Sequence, residues 1–250
     1  MASDSLRLDQ TLVERGLIES REKARRAIMA GEVLVNGQQV DKPSHKTPAS
    51  AVVELKARDR FVSRGGLKLE GALAHFAVEV GGKTCLDVGA STGGFTDCLL
   101  QRGAARVFAV DVGHGQLVWK LRQDPRVVVM EQVNARQLDP AAFTPPPQFA
   151  CVDVSFISLT KILPALGPVM DRTSDLVALI KPQFEAGREV MDRCRGVLKD
   201  EVLQAQIVRE ISGFTETLGW QVRGTIPSPI TGTDGNREFL LWAVKTGQSG

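Results

Sequence analysis

The sequence predicts an α/β fold in which helices cover both faces of a mostly parallel sheet, preceded by a small N-terminal α+β domain. From about residue 62 onward, short apolar runs alternate with helical patterns, which is the order of elements in a parallel sheet. A glycine-rich turn at residues 87–95 directly follows one of these runs. The N-terminal pattern is different, and we predict two domains, residues 1–60 and residues 61–250.

Two short helices and a β-hairpin are predicted in the N-terminal domain. Leucines at positions 6, 8, 12 and 17 have the spacing of an amphipathic helix that ends at Gly16. Ser20 can cap a second helix, which ends at Gly31. The dipeptide Asn36-Gly37 between two short runs indicates a hairpin, and a strand at residues 52–55 completes the domain.

The second domain reads as strands alternating with helices, followed by a final hairpin. Strands are predicted at residues 84–86, 106–110, 126–130, 149–152 and 176–180. A long helix is predicted over about 200–218, and the strands at 221–226 and 239–244 then form an antiparallel pair at the sheet edge. Residues 182–199 are too long for an ordinary connection, so we expect an active-site cover or a mobile loop there.

The composition excludes several classes of protein. The chain is 43% apolar, enough for a buried core, and its net charge is only +2, so any basic surface must be local. Its four cysteines lack C-x-x-C spacing, which indicates reduced, buried thiols and no structural zinc site. Neither a leader peptide nor a run of about 18 apolar residues is present. We therefore expect a cytoplasmic protein with no metal and no membrane partner, whose oligomeric state the sequence leaves open.

The glycine-rich turn, D-V-G-A-S-T-G-G-F at residues 87–95, has the form of a cofactor loop. Glycine lets the backbone bend sharply and approach a ligand, and we expect the acid at the strand end to stay outside the sheet, facing the cofactor. The spacing is not the G-x-G-x-x-G of a dinucleotide site and fits S-adenosylmethionine better. The alternative is a tight strand-to-helix turn that binds nothing.

Two further strand ends carry polar residues that suit an adenosine. Asp111 follows the strand at 106–110 and can accept both ribose hydroxyls, while Asn134 and Ala135 follow the next strand and can meet the adenine edge. Taken singly, each of these is as well explained by a cap or a turn. Together they predict a Rossmann-like, S-adenosylmethionine-dependent methyltransferase sheet. The predicted cofactor-binding residues are Asp87, Gly89, Ala90, Ser91, Gly93, Gly94, Phe95, Asp111, Asn134, Ala135 and Asp153.

Four charged residues are predicted to meet at the same end of the sheet. Asp153 and Lys181 each follow a strand and face the crevice of the cofactor loop, because ligands bind beyond the carboxyl ends of parallel strands. Lys68 begins a helix before the first strand, and Glu238 begins the last strand. A lysine between carboxylates and a second cation can take a proton from a hydroxyl. The alternative for each residue is an ordinary surface ion pair.

Basic residues cluster on the second predicted helix and at the domain junction. Arg21, Lys23, Arg25 and Arg26 stand against one acid, Glu22, and can follow a phosphate backbone. A second cluster spans the junction and consists of Lys56, Arg58, Arg60, Arg64 and Lys68, against Asp59. Two clusters around one small module favour nucleic acid, although a solvated helix face explains the first cluster equally well.

Five blocks of the sequence resemble the signature motifs of the TlyA-type family: R-G-G-L-K-L (64–69), residues 87–95, D-V-S-F-I-S-L (153–159), K-P-Q-F-E (181–185) and N-R-E-F (236–239). These proteins are hemolysins by name, but are ribosomal RNA 2′-O-methyltransferases with an FtsJ-like catalytic domain. The N-terminal domain, with R-L-D (7–9), R-G-L (15–17) and V-N-G (35–37), is similar to the RNA-binding module of the small-subunit ribosomal protein S-four.

The resemblance implies a reaction, a partner and a set of site residues. The reaction is methyl transfer from S-adenosylmethionine to the ribose 2′-hydroxyl of a cytidine, and the partner is ribosomal RNA or a ribosomal subunit. Lys68, Asp153, Lys181 and Glu238 match the catalytic Lys-Asp-Lys-Glu tetrad, in which we expect Asp153 and Glu238 to hold the Lys181 ammonium group. The RNA-binding residues implied are Arg7, Arg21, Lys23, Arg25, Arg26 and Arg64.

Three other functions compete with this interpretation. An RNA-binding protein with an inactive methyltransferase domain is disfavoured because all four tetrad positions are intact. A cytolysin, as the family's older name suggests, needs a secretion route and a spanning or strongly amphipathic segment. A base N-methyltransferase commonly has Asn or Asp, Pro, Pro and an aromatic after the fourth strand, where this chain has D-V-S-F at 153–156.

Overall fold

The computed structural model describes residues 5–56 and 60–245, apart from the side chain of residue 188. The chain divides between residues 59 and 60 into two compact units. No helix in the described ranges is both long enough and apolar enough to cross a bilayer. Cys85, Cys98 and Cys151 are buried free thiols, and Cys194 is half-buried.

The N-terminal unit packs two helices against short strands. Its elements are β1 (Ser5–Arg7), α1 (Leu8–Glu14), α2 (Arg21–Met29), β2 (Val33–Val35), β3 (Gln38–Gln39), β4 (Lys46–Pro48) and β5 (Val53–Leu55). β1 pairs with β4, and β2 lies between β3 and β5, all antiparallel. Leu8, Leu12 and Ile28 are fully buried where the helices meet the β2 strand.

The N-terminal predictions are confirmed for the second helix and the hairpin, and wrong at the start of the chain. The Ser20 side chain accepts a hydrogen bond from Lys23 N at the start of α2, and Asn36 and Gly37 make the hairpin turn with positive φ. Leu6, however, lies in β1 opposite Thr47 rather than in the first helix. The partner strand was not predicted because K-T-P at 46–48 has no apolar alternation.

The second unit contains a seven-stranded sheet with helices on both faces. Its helices are α3 (Gly65–Phe76), α4 (Gly94–Gln101), α5 (Trp119–Arg122), α6 (Pro182–Glu185), α7 (Arg188–Arg193) and α8 (Glu201–Thr217). Its strands are β6 (Thr84–Val88), β7 (Arg106–Val110), β8 (Val127–Met130), β9 (Phe149–Val152), β10 (Ser174–Ile180), β11 (Gln221–Pro227) and β12 (Phe239–Lys245). The sheet order is β11-β12-β10-β9-β6-β7-β8, and the last five of these strands are mutually parallel.

Alternate residues of the parallel strands enter two separate hydrophobic cores. Leu86 and Phe108 pack on the α8 side with Ile207, whereas Cys85 and Val107 pack on the side of α3 and α4. Successive side chains of a strand point to opposite faces, so a strand covered on both faces must be apolar throughout. This is why the strands appear in the sequence as continuous apolar runs.

The predicted topology is confirmed, with three local differences. β12 pairs antiparallel with β10 and β11, which places the final hairpin at the sheet edge, and Asp200 caps the long helix α8. β6 extends to Val88, so Asp87 lies inside the strand. Short 3-10 turns, including Leu159–Lys161, replace an α-helix between β9 and β10. Residues 182–199, expected to form an active-site cover or a mobile loop, contain α6 and α7.

Candidate active site

The glycine-rich loop after β6 is held by backbone hydrogen bonds to the end of the neighbouring strand, β7. The amides of Gly89 and Ala90 both donate to Val110 O, at 2.8 and 3.1 Å. Gly89 has φ +85°, and a Cβ there would lie 2.2 Å from the backbone oxygen of Asp153. Only glycine fits, because the end of β9 crosses directly over this position.

The other loop glycines are required by protein packing rather than by a ligand. Gly93 has φ +101°, and a Cβ there would lie 2.2 Å from the Leu121 side chain. A Cβ at Gly94 would lie 2.3 Å from Ser63 Oγ, beside the start of α3. Phe95 is buried in the core between the sheet and the helices. These residues shape the loop, but they do not form the surface of the adjacent cavity.

A cavity of about 610 Å³ opens beside the loop, at the carboxyl ends of the parallel strands. Six of the predicted cofactor-binding residues line it: Gly89, Ser91, Asp111, Asn134, Ala135 and Asp153. The remaining five, Asp87, Ala90, Gly93, Gly94 and Phe95, lie behind this surface. The lining also includes Val112, Gln116, Val133 and Phe156, which sequence reasoning missed. Phe156 belongs to the D-V-S-F-I-S-L block, whereas the other three are marked in the sequence only by following a strand.

Asp111 joins the loop to the strand that follows it. One carboxylate oxygen accepts from Ser91 N and the other from Gly113 N, both at 2.7 Å. Each carboxylate oxygen can accept two hydrogen bonds, so both can still accept from a ligand hydroxyl at the cavity wall. Asp111 therefore both fixes the loop and offers acceptors to the cavity.

Asp87 does not face the cavity, in contrast to the expectation that it stays outside the sheet. Its side chain is fully buried within β6 and accepts a hydrogen bond from Thr96 Oγ1 at 2.6 Å. Burial, assisted by the negative charge of Asp153, raises the pKa of Asp87 to about 7. Asp87 thus anchors the first turn of α4 behind the loop.

The four charged residues of the predicted tetrad form two ion pairs at this end of the sheet. Lys181 Nζ lies 2.5 Å from Asp153 Oδ1, and Lys68 Nζ lies 2.5 Å from Glu238 Oε2. Topology explains the arrangement: Asp153 and Lys181 follow the adjacent parallel strands β9 and β10, and Glu238 precedes the antiparallel β12. The expectation that Glu238 also holds Lys181 is wrong, because its carboxylate bonds Lys68.

Comparison with known proteins identifies this arrangement. Residues 61–245 match the family model of the FtsJ-like methyltransferases, and residues 6–53 match that of the S4 domain. The chain belongs to the FtsJ-like methyltransferase family. Its N-terminal unit is an S4 domain, and its second unit is the methyltransferase domain.

Relatives match this FtsJ-like methyltransferase along almost its whole length. A Mycobacterium tuberculosis protein named 16S/23S rRNA (cytidine-2′-O)-methyltransferase TlyA is 48% identical, over 94% of this chain and 88% of its own. A Brachyspira hyodysenteriae protein named Hemolysin A is 43% identical, over 94% of this chain and 98% of its own. A solved hemolysin-named structure from Streptococcus thermophilus has a TM-score of 0.74 at 48% identity, covering 98% of this chain and 90% of that one.

The loop after β9 carries residues of the methyltransferase domain that sequence reasoning did not single out. Lys181 Nζ donates a hydrogen bond to Ser155 Oγ at 2.9 Å. The next residue, Phe156, is 90% exposed and has φ +63°, a conformation that is rare for a bulky side chain. Its ring lies 5.0 Å from that of Phe184 in α6.

The same loop is fastened to α6 by a half-buried carboxylate. Glu185 accepts hydrogen bonds from Ser158 Oγ at 2.5 Å and Leu159 N at 2.8 Å. Burial raises the pKa of Glu185 above its ordinary value, against these two hydrogen bonds. The loop after β9 and the residues after β10 therefore hold each other in place.

Ion pairs occupy most of the predicted RNA-binding cations of the S4 domain. Buried Asp9 accepts from Arg7 at 3.0 Å and Arg21 at 3.1 Å. Lys23 pairs with Glu19, and Arg26 pairs with Glu22. Among the described residues, Arg25 is exposed and forms no ion pair. The sequence analysis set only Glu22 against these cations. Asp9 and Glu19 also pair with them, but both lie outside residues 21–26.

The junction cations Lys56, Arg60 and Arg64 are exposed, and each makes a polar contact. Arg64 donates to Thr231 O at 3.2 Å, and Arg60 pairs with Glu70. Lys56 donates to the Gln39 side chain at 2.5 Å. Arg58 lies outside the described residues.

Proposed function

We propose that this methyltransferase transfers the methyl group of S-adenosylmethionine to the ribose 2′-hydroxyl of a cytidine in ribosomal RNA. The observation that carries the proposal is the Lys181–Asp153 ion pair, whose carboxylate forms part of the wall of the cavity next to the Gly89 loop. A group that can orient a hydroxyl thus lies beside a cavity that can hold a methyl donor. The relative named as a cytidine-2′-O methyltransferase supports the substrate class.

The cavity fits an adenosine-containing methyl donor. Its volume of about 610 Å³ lies within the usual range of ~300–1,000 Å³ for small-molecule sites. Asp111 offers acceptors to ribose hydroxyls, and Asn134, between the apolar Val133 and Ala135, offers polar groups to an adenine edge. S-Adenosylmethionine supplies a methyl group on a sulfonium, which leaves as a neutral thioether.

Lys181 is the residue that we assign to the acceptor hydroxyl. As the oxygen–carbon bond forms, the carbon–sulfur bonding electrons go to sulfur and the hydroxyl proton must leave the oxygen. As an ammonium group, Lys181 donates to the hydroxyl oxygen and orients it; as a neutral amine, it accepts the departing proton on its lone pair and becomes the ammonium that Asp153 holds. The second pair places Lys68, held by Glu238, as an additional positive charge for the developing oxyanion.

RNA binding is assigned to both domains. In the S4 domain, Arg25, which has no ion-pair partner among the described residues, and the partly exposed guanidinium groups of Arg7 and Arg21 can contact phosphates. In the methyltransferase domain, the exposed Phe156 ring gives a flat apolar surface for an unstacked base. It packs against Phe184, whose ring centroid lies 5.8 Å from Lys181 Nζ. The partner is ribosomal RNA or a ribosomal subunit, which requires the enzyme to act in the cytoplasm, where ribosomes are assembled.

The decisive experiment maps 2′-O-methylation across ribosomal RNA isolated from cells with and without the protein. A new methylation at one or more cytidines, absent when Lys181→Ala replaces the native chain, would support the proposal. Methylation on a base nitrogen would favour the N-methyltransferase alternative. Lysis of red cells by purified protein, equal for both forms, would favour the cytolysin interpretation suggested by the name of the Brachyspira relative.

A further inference from the structure

We propose that Ser155 is a positioning residue that sets the direction in which Lys181 meets the acceptor hydroxyl. The inference rests on the proposed function, and it adds a residue outside the tetrad. Ser155 Oγ lies 2.9 Å from Lys181 Nζ, on the cavity wall, two residues after Asp153. The same amine group therefore contacts two side chains of one short loop.

The chemistry of an ammonium group makes the second contact important. A lysine ammonium has three N–H donors around a rotatable bond, so a single carboxylate fixes its position but not its rotation. Asp153 holds the ammonium charge at 2.5 Å, but its Oδ1 makes no aligned hydrogen bond, so among the described residues the directional contact comes from Ser155 Oγ at 2.9 Å. This hydrogen bond sets the rotation of the ammonium group and so directs a remaining N–H towards the ribose hydroxyl.

The loop is built to keep Ser155 at this distance. Phe156 turns the chain with φ +63°, a left-handed conformation that is unfavourable for a non-glycine residue. Glu185 fastens the far end of the loop through Ser158 and Leu159. Strain of this kind persists where the surrounding contacts over-determine the backbone. An incidental surface hydrogen bond would need neither feature.

The first test measures methyl transfer in single turnovers at saturating cofactor and RNA. Ser155→Ala is expected to lower the rate about tenfold, the effect of losing one hydrogen bond to a charged group, with unchanged affinity for cofactor and RNA. Ser155→Thr, which keeps the hydroxyl, is expected to restore the rate. The matched control is Ser212→Ala, which removes a hydroxyl of α8 that donates to Val208 O and is no partner of Lys181, and is expected to leave the rate unchanged.

A second measurement does not depend on RNA methylation. In proton–nitrogen correlation spectra of the full-length protein, the Lys181 ammonium signal, assigned by its loss in Lys181→Ala, is expected to exchange slowly with water. Ser155→Ala should accelerate that exchange, and Ser155→Thr should not. Unchanged exchange in Ser155→Ala, or equal rates for Ser155→Ala and Ser212→Ala, would refute the positioning role. Absence of 2′-O-methylation by the wild-type protein would instead refute the proposed function.

Discussion

Replacing Gly89 by alanine should damage the cofactor cavity through a single backbone contact. Gly89 has φ +85°, and the added Cβ would lie 2.2 Å from the backbone oxygen of Asp153 and 2.9 Å from its carbonyl carbon. The left-handed conformation alone costs an alanine about 1–2 kcal/mol. Relieving the overlap adds about 1–3 kcal/mol, because a strand end rather than a flexible side chain must move.

A matched control separates these two costs. Gly82 has φ +72°, but a Cβ there would have no neighbour within 4 Å. Gly82→Ala should therefore lose only the conformational part, and its unfolding midpoint should lie roughly 2–12 °C above that of Gly89→Ala. Thermal unfolding of both variants beside the wild-type protein measures the difference.

Gly89→Ala should also weaken cofactor binding, because the backbone that it displaces is that of Asp153, which lines the cavity. Calorimetric titration should show that Gly89→Ala binds S-adenosylmethionine at least tenfold more weakly, a loss of about 1.4 kcal/mol, while Gly82→Ala binds it normally. RNA affinity should be unchanged in both variants. Equal cofactor affinity and equal midpoints for the two variants would mean that the contact between the loop and β9 has no role in the site.

The remaining predictions concern proton chemistry, strain, burial and charge. Lys181→Arg should lower the rate of methyl transfer about a hundredfold in a tritiated-methyl assay. Guanidinium keeps the positive charge but cannot readily release a proton to become a base. Near-normal turnover would mean that Lys181 only orients the hydroxyl. Phe156→Gly should unfold at a temperature equal to or above that of the wild type, because it relieves a positive φ at an exposed residue, yet methylate RNA more slowly. Folding raises the pKa of Asp87 from 3.8 to about 7, so between these pH values the folded protein keeps a proton that the unfolded chain releases. The protonated Asp87 therefore stabilises the fold fully below about pH 4, and this stabilisation is lost as the pH rises through about 7. In denaturant titrations, the free energy of unfolding of the wild type should therefore fall by at most about 4 kcal/mol between pH 4 and pH 8 on account of Asp87. Asp87→Asn should abolish this part of the pH dependence. Arg25→Ala should reduce the salt slope of RNA binding by roughly one unit in filter-binding assays, and an unaltered slope would mean that Arg25 faces solvent only.

Local patterns in the sequence were enough to predict most of the fold. The parallel strands are apolar on both faces, the capping residues of α2 and α8 precede their helices directly, and Asn36-Gly37 makes a tight hairpin. Each of these depends on neighbours within a few residues. β1 and β4 were not predicted, because they pair residues about 40 positions apart and neither strand has an alternating apolar pattern.

The candidate site was predicted as a set of residues but not as a set of contacts. The ends of parallel strands meet at one edge of a sheet, and Asp111, Asp153 and Lys181 each directly follow such a strand. Position at a strand end does not say which side chains touch. Glu238 contacts Lys68 across 170 residues of chain, and Ser155 reaches Lys181 across 26.

The sequence by itself therefore determined the order of the elements and the residue types available at the end of the sheet. The tertiary structure decided which charges neutralise each other, that Asp87 is buried behind the loop, and that Gly93 and Gly94 serve packing. It also showed that Asp9 and Glu19 engage cations of the basic helix. The physical reason is distance: electrostatics and packing depend on separations of a few ångströms in space, whereas a sequence pattern records only separation along the chain.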